Sequence, residues 1–63
     1  MPYVHLKIHE DRLTPEAEAE LVTALTDAVV SVYGEDIRRG TLVILEPVPP
    51  ARWAVGGRAL RPL

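Results

Sequence analysis

Hydrophobic and polar residues alternate at the amino-terminal end of the chain, which is the pattern of a β-strand with one buried face. Between Tyr3 and His9, every second position is apolar, namely Val4, Leu6 and Ile8. We therefore predict a first strand, β1, over Tyr3–His9. Three of the intervening residues, His5, Lys7 and His9, are expected to be exposed on the other face. We expect no catalytic role for His9.

The apolar spacing changes to three and four residues after Pro15, as expected of an amphipathic helix. Thr14 can cap this helix by accepting a backbone N–H, and Pro15 suits the first helical position. Gly34 follows Tyr33 and is a suitable left-handed terminator. The sequence thus predicts one helix, α1, from Pro15 to Tyr33. Its apolar stripe consists of Ala17, Leu21, Leu25, Ala28, Val29 and Val32, widened by Val22 and Ala24.

A second strand, β2, is predicted over Thr41–Glu46, where apolar residues are continuous and Gly40 and Pro47 bound the run. A continuous apolar run is typical of a strand that is covered on both faces. The strand–helix–strand order makes β1 and β2 parallel, with a right-handed crossover. Because one helix covers only one face of this sheet, we expect another subunit to cover the other face.

The carboxyl-terminal part of the chain predicts a small hairpin arm. Pro47–Pro50 is not expected to hold a regular ladder, because proline has no backbone N–H to donate. Ala51–Leu60 then has the pattern of a short hairpin with its turn at Gly56 and Gly57. Such an arm has no core of its own and is expected to pack on a neighbour. The fold class is therefore α+β: a βαβ subunit with a parallel two-stranded sheet, one long helix and a hairpin arm, in a single domain over residues 1–63.

The composition excludes some kinds of binding site and some classes of partner. The chain has 63 residues, no cysteine and a net charge of −2, so disulfides and thiolate–zinc sites are excluded and no general attraction to nucleic acid or anionic lipid is expected. A domain of about 60 residues buries only about 60 % of its surface, and oligomerisation is the support that remains. No apolar run approaches the roughly 20 residues of a membrane span, and no signal-peptide pattern is present. We therefore expect a cytoplasmic protein.

Pro2 gives the amino terminus a specific chemistry. With Met1 attached, the nitrogen of Pro2 is a tertiary amide and cannot accept a proton. Removal of Met1 would leave a free prolyl amine at the start of β1. An α-amine has an unperturbed pKa of about 7.7–8.0, and an apolar site disfavours its protonated form, which suits proton transfer near neutral pH. Pro2 is therefore the candidate general base of the processed chain.

Four features occur together in this sequence: Pro2 at the start of β1, Arg12 in the loop after it, one long helix before a parallel strand, and an aromatic-x-x-Gly-Gly element beginning at Trp53. In this combination the chain resembles the 4-oxalocrotonate tautomerase family of small amino-terminal-proline enzymes, from Pro2 to about Leu60. The resemblance implies a cofactor-independent tautomerase or isomerase of small unsaturated 2-oxo or 2-hydroxy carboxylates. It also implies a dimer with a four-stranded sheet, and three dimers forming a hexamer.

The resemblance also assigns roles to residues. Pro2 would act as general base and acid, Arg12 would bind a substrate carboxylate, and Trp53 would make the site apolar. The family's second arginine, at the start of β2, falls on Leu42, whose side chain cannot donate to a developing enolate. Losing one such donor costs about 10²–10³ in rate in comparable sites. The candidates for supplying this charge from other positions are Arg52, Arg39 and Arg38.

Two alternatives remain open at this point. One is hydration or dehalogenation of a short unsaturated acid, in which a protonated Pro2 supplies a proton and another group activates water. The other is a non-catalytic subunit of a mixed oligomer that contributes Arg12 to a neighbouring site, which Leu42 and a retained Met1 would favour. The expected partners are a small-molecule carboxylate and further subunits, in a homo-oligomer or a hetero-oligomer, with neither nucleic acid nor membrane.

Overall fold

The computed structural model describes residues 1–60, so residues 61–63 of the predicted domain lie outside the described part. The elements follow one another as β1 (Tyr3–His9), a 3₁₀ turn (Glu10–Arg12), α1 (Pro15–Tyr33), a 3₁₀ turn (Glu35–Gly40), β2 (Leu42–Val48), a 3₁₀ turn (Pro50–Arg52), β3 (Ala54–Val55) and β4 (Arg58–Ala59). This is the predicted α+β fold, with a parallel strand pair, a long helix and a hairpin arm.

The helix α1 has the predicted bounds, and both ends show why. At the amino end, the hydroxyl oxygen of Thr14 accepts a hydrogen bond from Ala17 N–H at 3.1 Å. At the carboxyl end, Gly34 has φ of +96°, and its N–H donates to the carbonyl oxygen of Val30 at 2.8 Å. Residues with a Cβ rarely adopt such a φ, so glycine is the residue that ends the helix here.

The strand β2 is longer than predicted and includes Pro47. It pairs in parallel with β1 from Tyr3 opposite Leu42 to His9 opposite Val48. Leu42 N–H donates to the carbonyl oxygen of Pro2 at 3.0 Å. Because successive residues of a strand direct their N–H groups to opposite edges, Pro47 directs its nitrogen to the outer edge of β2, and the ladder loses no hydrogen bond there. The prediction that this proline ends the ladder was wrong for that reason.

The two faces of the β1–β2 sheet differ in their cover. The half-buried side chains of Val4, Leu6, Ile8, Val43 and Leu45 lie on the face that packs against α1. The other side, the open face, presents the exposed side chains of Tyr3, His5, Lys7, Leu42, Ile44 and Glu46. Tyr3, Leu42 and Ile44 remain 57 %, 51 % and 47 % exposed. The prediction that α1 leaves one apolar sheet face uncovered is confirmed.

The subunit buries few of its apolar side chains. No residue within 1–60 is fully buried. Ala28 and Val32 belong to the predicted stripe of α1, yet both are exposed, and Val32 is 73 % exposed. For Val32, in the last turn of α1, the reason is length, because the 19 residues of the helix extend about 28 Å, whereas a seven-residue strand extends about 23 Å. Among residues 1–60, no helix is both long enough and apolar enough to cross a membrane.

The hairpin arm forms as predicted, although its first strand begins later. Gly56 and Gly57 have φ of +59° and +80°, as a two-residue type I′ turn requires. β3 and β4 pair antiparallel around this turn. Leu60 N–H donates to the carbonyl oxygen of Trp53 at 2.7 Å, which closes the arm at its base.

Candidate active site

Pro2 lies at the amino-terminal ends of both strands. Its side chain is half-buried, and its carbonyl oxygen accepts the hydrogen bond from Leu42 N–H that starts the β1–β2 ladder. Met1 precedes it and is 87 % exposed. The residue that would have to be removed to free the proline amine is therefore accessible.

Arg12 and Trp53 lie at the opposite, carboxyl-terminal end of the sheet. Arg12 is exposed in the 3₁₀ turn that follows β1. Trp53 is half-buried, and its indole Nε1–H donates to the carbonyl oxygen of Val48, the last residue of β2, at 3.2 Å. This hydrogen bond holds the indole beside the strand end.

A single subunit does not bring the predicted site residues together. The full length of β1, about 23 Å, separates Pro2 from the turn that carries Arg12. A small carboxylate cannot span that distance. The structure therefore places the candidate base at one end of the sheet and the candidate anchor, with Trp53, at the other.

A cavity of about 430 Å³ opens beside Trp53. It is lined by Lys7, Glu46, Pro47, Val48, Pro49, Arg52 and Trp53. The tryptophan and the prolines form apolar walls, Lys7 and Arg52 contribute two positive charges, and Glu46 contributes one negative charge. Such a combination of apolar walls with a few charged groups is typical of a site for a small organic anion.

The structure separates the three arginines that were candidates for replacing the donor missing at Leu42. Arg38 donates from Nε to Glu35 at 2.6 Å and from Nη1 to Asp27 at 2.9 Å, and these hydrogen bonds raise the pKa of its guanidinium. It is thereby committed to joining the turn before β2 to α1. Arg39 is exposed on the same turn, at the Pro2 end of the sheet. Arg52 lines the cavity beside Trp53.

The contact between His9 and Trp53 was not predicted from the sequence. The His9 ring lies nearly parallel to the indole of Trp53, with 6.3 Å between centroids and 18° between planes. Its Nδ1 is shielded from solvent, accepts or donates no hydrogen bond, and lies 3.9 Å from Asp11 Oδ2. The expectation of an exposed side chain was wrong for His9, because Trp53 folds over the end of β1. The alternation pattern carries no signal for that contact.

The sequence reasoning also missed a contact between two side chains on the open face. His5 Nε2 lies 2.7 Å from Glu46 Oε1, within hydrogen-bond distance. Lys7 is directly opposite Glu46 in the register of the sheet. His5 and Lys7 are exposed, as predicted. In the described part of the chain, no three histidine or acidic side chains are arranged to hold a metal ion.

Comparisons with known proteins give a consistent result. The family model described as "Tautomerase enzyme" matches residues 2–61. The chain is 30 % identical over 60 residues to "Probable tautomerase K2" of Dickeya dadantii, which covers 95 % of this chain and 88 % of that protein. It is 40 % identical over 57 residues to "Probable tautomerase RSp0893" of Ralstonia nicotianae, and the match covers 90 % of this chain and 79 % of that protein. The crystal structure of YwhB, a homologue of 4-oxalocrotonate tautomerase, superposes with a TM-score of 0.82 at 31 % identity and covers 92 % of each chain.

Proposed function

Because the chain belongs to the tautomerase family and is an enzyme of the tautomerase type, we propose that it interconverts small unsaturated 2-hydroxy and 2-oxo carboxylates without a cofactor. The observation that carries the proposal is the extent of the family match. It begins at Pro2, includes Arg12, and runs beyond Trp53 to residue 61. The three residues to which the resemblance gives chemical roles therefore all fall within the matched part.

In the proposed reaction, the free secondary amine of Pro2 removes a proton from the dienol form of the substrate. The resulting ammonium returns a proton to a carbon atom of the conjugated system, so that the amine is regenerated. This role requires that Met1 is absent, since only then does the nitrogen carry a lone pair. A positioned general base and acid of this kind contributes about 10²–10⁴ to a rate.

The complete site is proposed to lie between subunits. Pro2 and the cavity beside Trp53 are about one strand length apart within one chain, and the open face leaves Leu42 and Ile44 about half exposed. An assembly that covers the open face could also bring the Pro2 end of one subunit to the Arg12 end of another. A hexamer and a cytoplasmic location both stay predictions.

Within that site, Arg12 binds the substrate carboxylate through its planar guanidinium, which matches the geometry of two oxygen atoms. Trp53 packs against the apolar part of the substrate and excludes water. Arg52 lines the cavity and offers positive charge beside Trp53. Arg39 lies on the Pro2 side, from which it would approach the substrate in the assembled site.

The experiment that tests the proposal begins with the intact mass of the purified protein, which should lack Met1. Ketonisation of phenylenolpyruvate or a 2-hydroxydienoate is then followed spectroscopically. Pro2→Ala should keep the fold and slow the reaction about 10²–10⁴-fold, because it removes the secondary amine. Pro15→Ala replaces a proline at the start of α1 that does not line the cavity, and serves as the matched control with wild-type activity.

A second preparation carries a peptide extension in front of Met1, so that the Pro2 nitrogen stays an amide. It should be as inactive as Pro2→Ala, and removal of the extension together with Met1 should restore the rate. Equal rates for wild type, Pro2→Ala and the extended protein would refute Pro2 as the base.

A further inference from the structure

Lys7 brings a positive charge to the lining of the cavity beside Trp53. It is the only lysine in the sequence. Its side chain lines the cavity beside Trp53, together with Arg52. Glu46 stands directly opposite it in the parallel register, yet Lys7 forms no ion pair with any carboxylate of residues 1–60.

Glu46, the carboxylate opposite Lys7, contacts His5 rather than Lys7. His5 lies two residues before Lys7 on the same face, and its Nε2 is 2.7 Å from Glu46 Oε1. Glu46 Oε1 is thereby engaged by His5, while Glu46 and Lys7 both line the cavity. The ammonium group of Lys7 is left to the cavity.

The open face is divided along its length, which separates a surface for subunit contact from a surface for a ligand. At the Pro2 end it carries Tyr3, Leu42 and Ile44, which remain about half exposed and are apolar or aromatic. At the other end it carries the charged Lys7 and Glu46. Apolar side chains gain free energy when a second subunit covers them, whereas a charge without a partner is costly to bury. Assembly through the apolar end therefore leaves the cavity to a ligand.

We propose that Lys7 is an anion-binding residue for the substrate. Together with Arg52, it binds the 2-oxo carboxylate end that Arg12 also contacts, while Trp53 packs against the carbon chain. Lys7 thereby supplies the positive charge that the apolar Leu42 does not. His5 is a positioning residue, since it engages Oε1 of Glu46, the carboxylate that would otherwise compete for Lys7. The identity of the ligand as a small unsaturated carboxylate rests on the proposed function.

Binding can be measured without catalysis, because Trp53 is the only tryptophan and lines the cavity. The probe is crotonate, a short unsaturated carboxylate, and its neutral analogue crotonamide is the comparison. Titration of wild type should change the tryptophan fluorescence with crotonate and far less with crotonamide. Lys7→Met should weaken crotonate binding about tenfold, the lower end for a hydrogen bond to a charged group, and Lys7→Arg should restore most of it.

Arg58→Met is the matched control, because it removes an exposed positive charge from β4, outside the cavity lining. It should bind crotonate as wild type does. Lys7→Met with unchanged affinity, or equal binding of crotonate and crotonamide to wild type, would overturn the role of Lys7. Wild type that binds crotonate through Lys7 but shows no tautomerase activity would refute the proposed function and leave this inference standing.

The positioning role of His5 is tested in two backgrounds. His5→Val should weaken crotonate binding, because the released Glu46 can then pair with Lys7. In a Glu46→Gln background, the same His5→Val change should have no effect, since no carboxylate is left to compete. An equal loss in both backgrounds would mean that His5 acts on the ligand directly or on the fold, and would overturn the positioning role. Sedimentation of each variant checks that the assembly is unchanged.

Discussion

Replacing Ile44 by aspartate introduces a charge at the centre of the open face. Ile44 is 47 % exposed in the subunit and lies on the side of β2 that faces away from α1. Full burial of an isoleucine side chain contributes about 1.5–3 kcal/mol, so covering the exposed half contributes about 0.7–1.4 kcal/mol in each copy. An aspartate there also leaves an uncompensated carboxylate in the contact, at a cost of about 3–5 kcal/mol.

These magnitudes predict dissociation at working concentrations. A micromolar dissociation constant corresponds to about 8 kcal/mol, and a loss of 3–5 kcal/mol weakens the contact by about 10²–10⁴. Sedimentation velocity at micromolar concentration should report an oligomer for wild type, with six subunits as our expectation. Ile44→Asp should dissociate and, because the subunit buries so little, lose helical signal in circular dichroism.

Thr23→Asp is the matched control, since it adds the same charge on the exposed side of α1, away from the sheet. It should sediment as wild type does. A wild type that is a well-folded monomer at micromolar concentration would refute the reasoning. The same conclusion would follow if Ile44→Asp kept the wild-type sedimentation coefficient.

Four further single substitutions have predicted effects. Arg12→Ala should raise KM for a carboxylate substrate by about 10- to 150-fold with little change in kcat, because a hydrogen bond to a charged group contributes about 1.5–3 kcal/mol. An unchanged KM in steady-state kinetics would contradict the role of Arg12 in binding the carboxylate. Arg52→Ala should mainly raise KM, since Arg52 lines the cavity. Arg39→Ala should mainly lower kcat, since Arg39 lies at the same end of the sheet as Pro2, the proposed base. The opposite pattern would exchange the roles of the two arginines. Thr14→Ala should lower the free energy of unfolding by about 1 kcal/mol, because it removes the side-chain cap of α1, and it should leave kcat unchanged. Urea titration at fixed protein concentration measures this loss. An unchanged free energy of unfolding would mean that the cap contributes nothing.

The two elements that depend only on local sequence pattern, β1 and α1, begin and end at the residues predicted for them. β1 follows from strict alternation, and α1 follows from a cap at Thr14 and a glycine at position 34, all of which act within a few residues. The end of β2 was predicted wrongly because the effect of Pro47 depends on the edge to which its nitrogen points. That edge is set by pairing with β1, more than 30 positions away along the chain.

The site was predictable as a set of residue types, though not as an arrangement. Pro2 was proposed from the chemistry of a free prolyl amine, and Arg12 and Trp53 from the resemblance to the tautomerase family; their roles stay predictions. The contact of His9 with Trp53 depends on how the arm folds back over β1, for which no periodicity gives a signal. The cavity at Lys7 depends on the register of β1 against β2 and on the position of Trp53 beside the end of β2.

Pro47 also gives the two edges of the sheet different capacities for strand addition. On the outer edge of β2, Val43 and Leu45 direct N–H groups outward, and Pro47 interrupts the row because it has none. The outer edge of β1, from Tyr3 to His9, contains no proline. An incoming strand therefore finds a complete row of donors and acceptors only along β1, so an extended sheet would grow from that side and β2 would remain its margin. The proline thus acts as a stop against indefinite edge-to-edge growth, a hazard for any chain that exposes two strand edges.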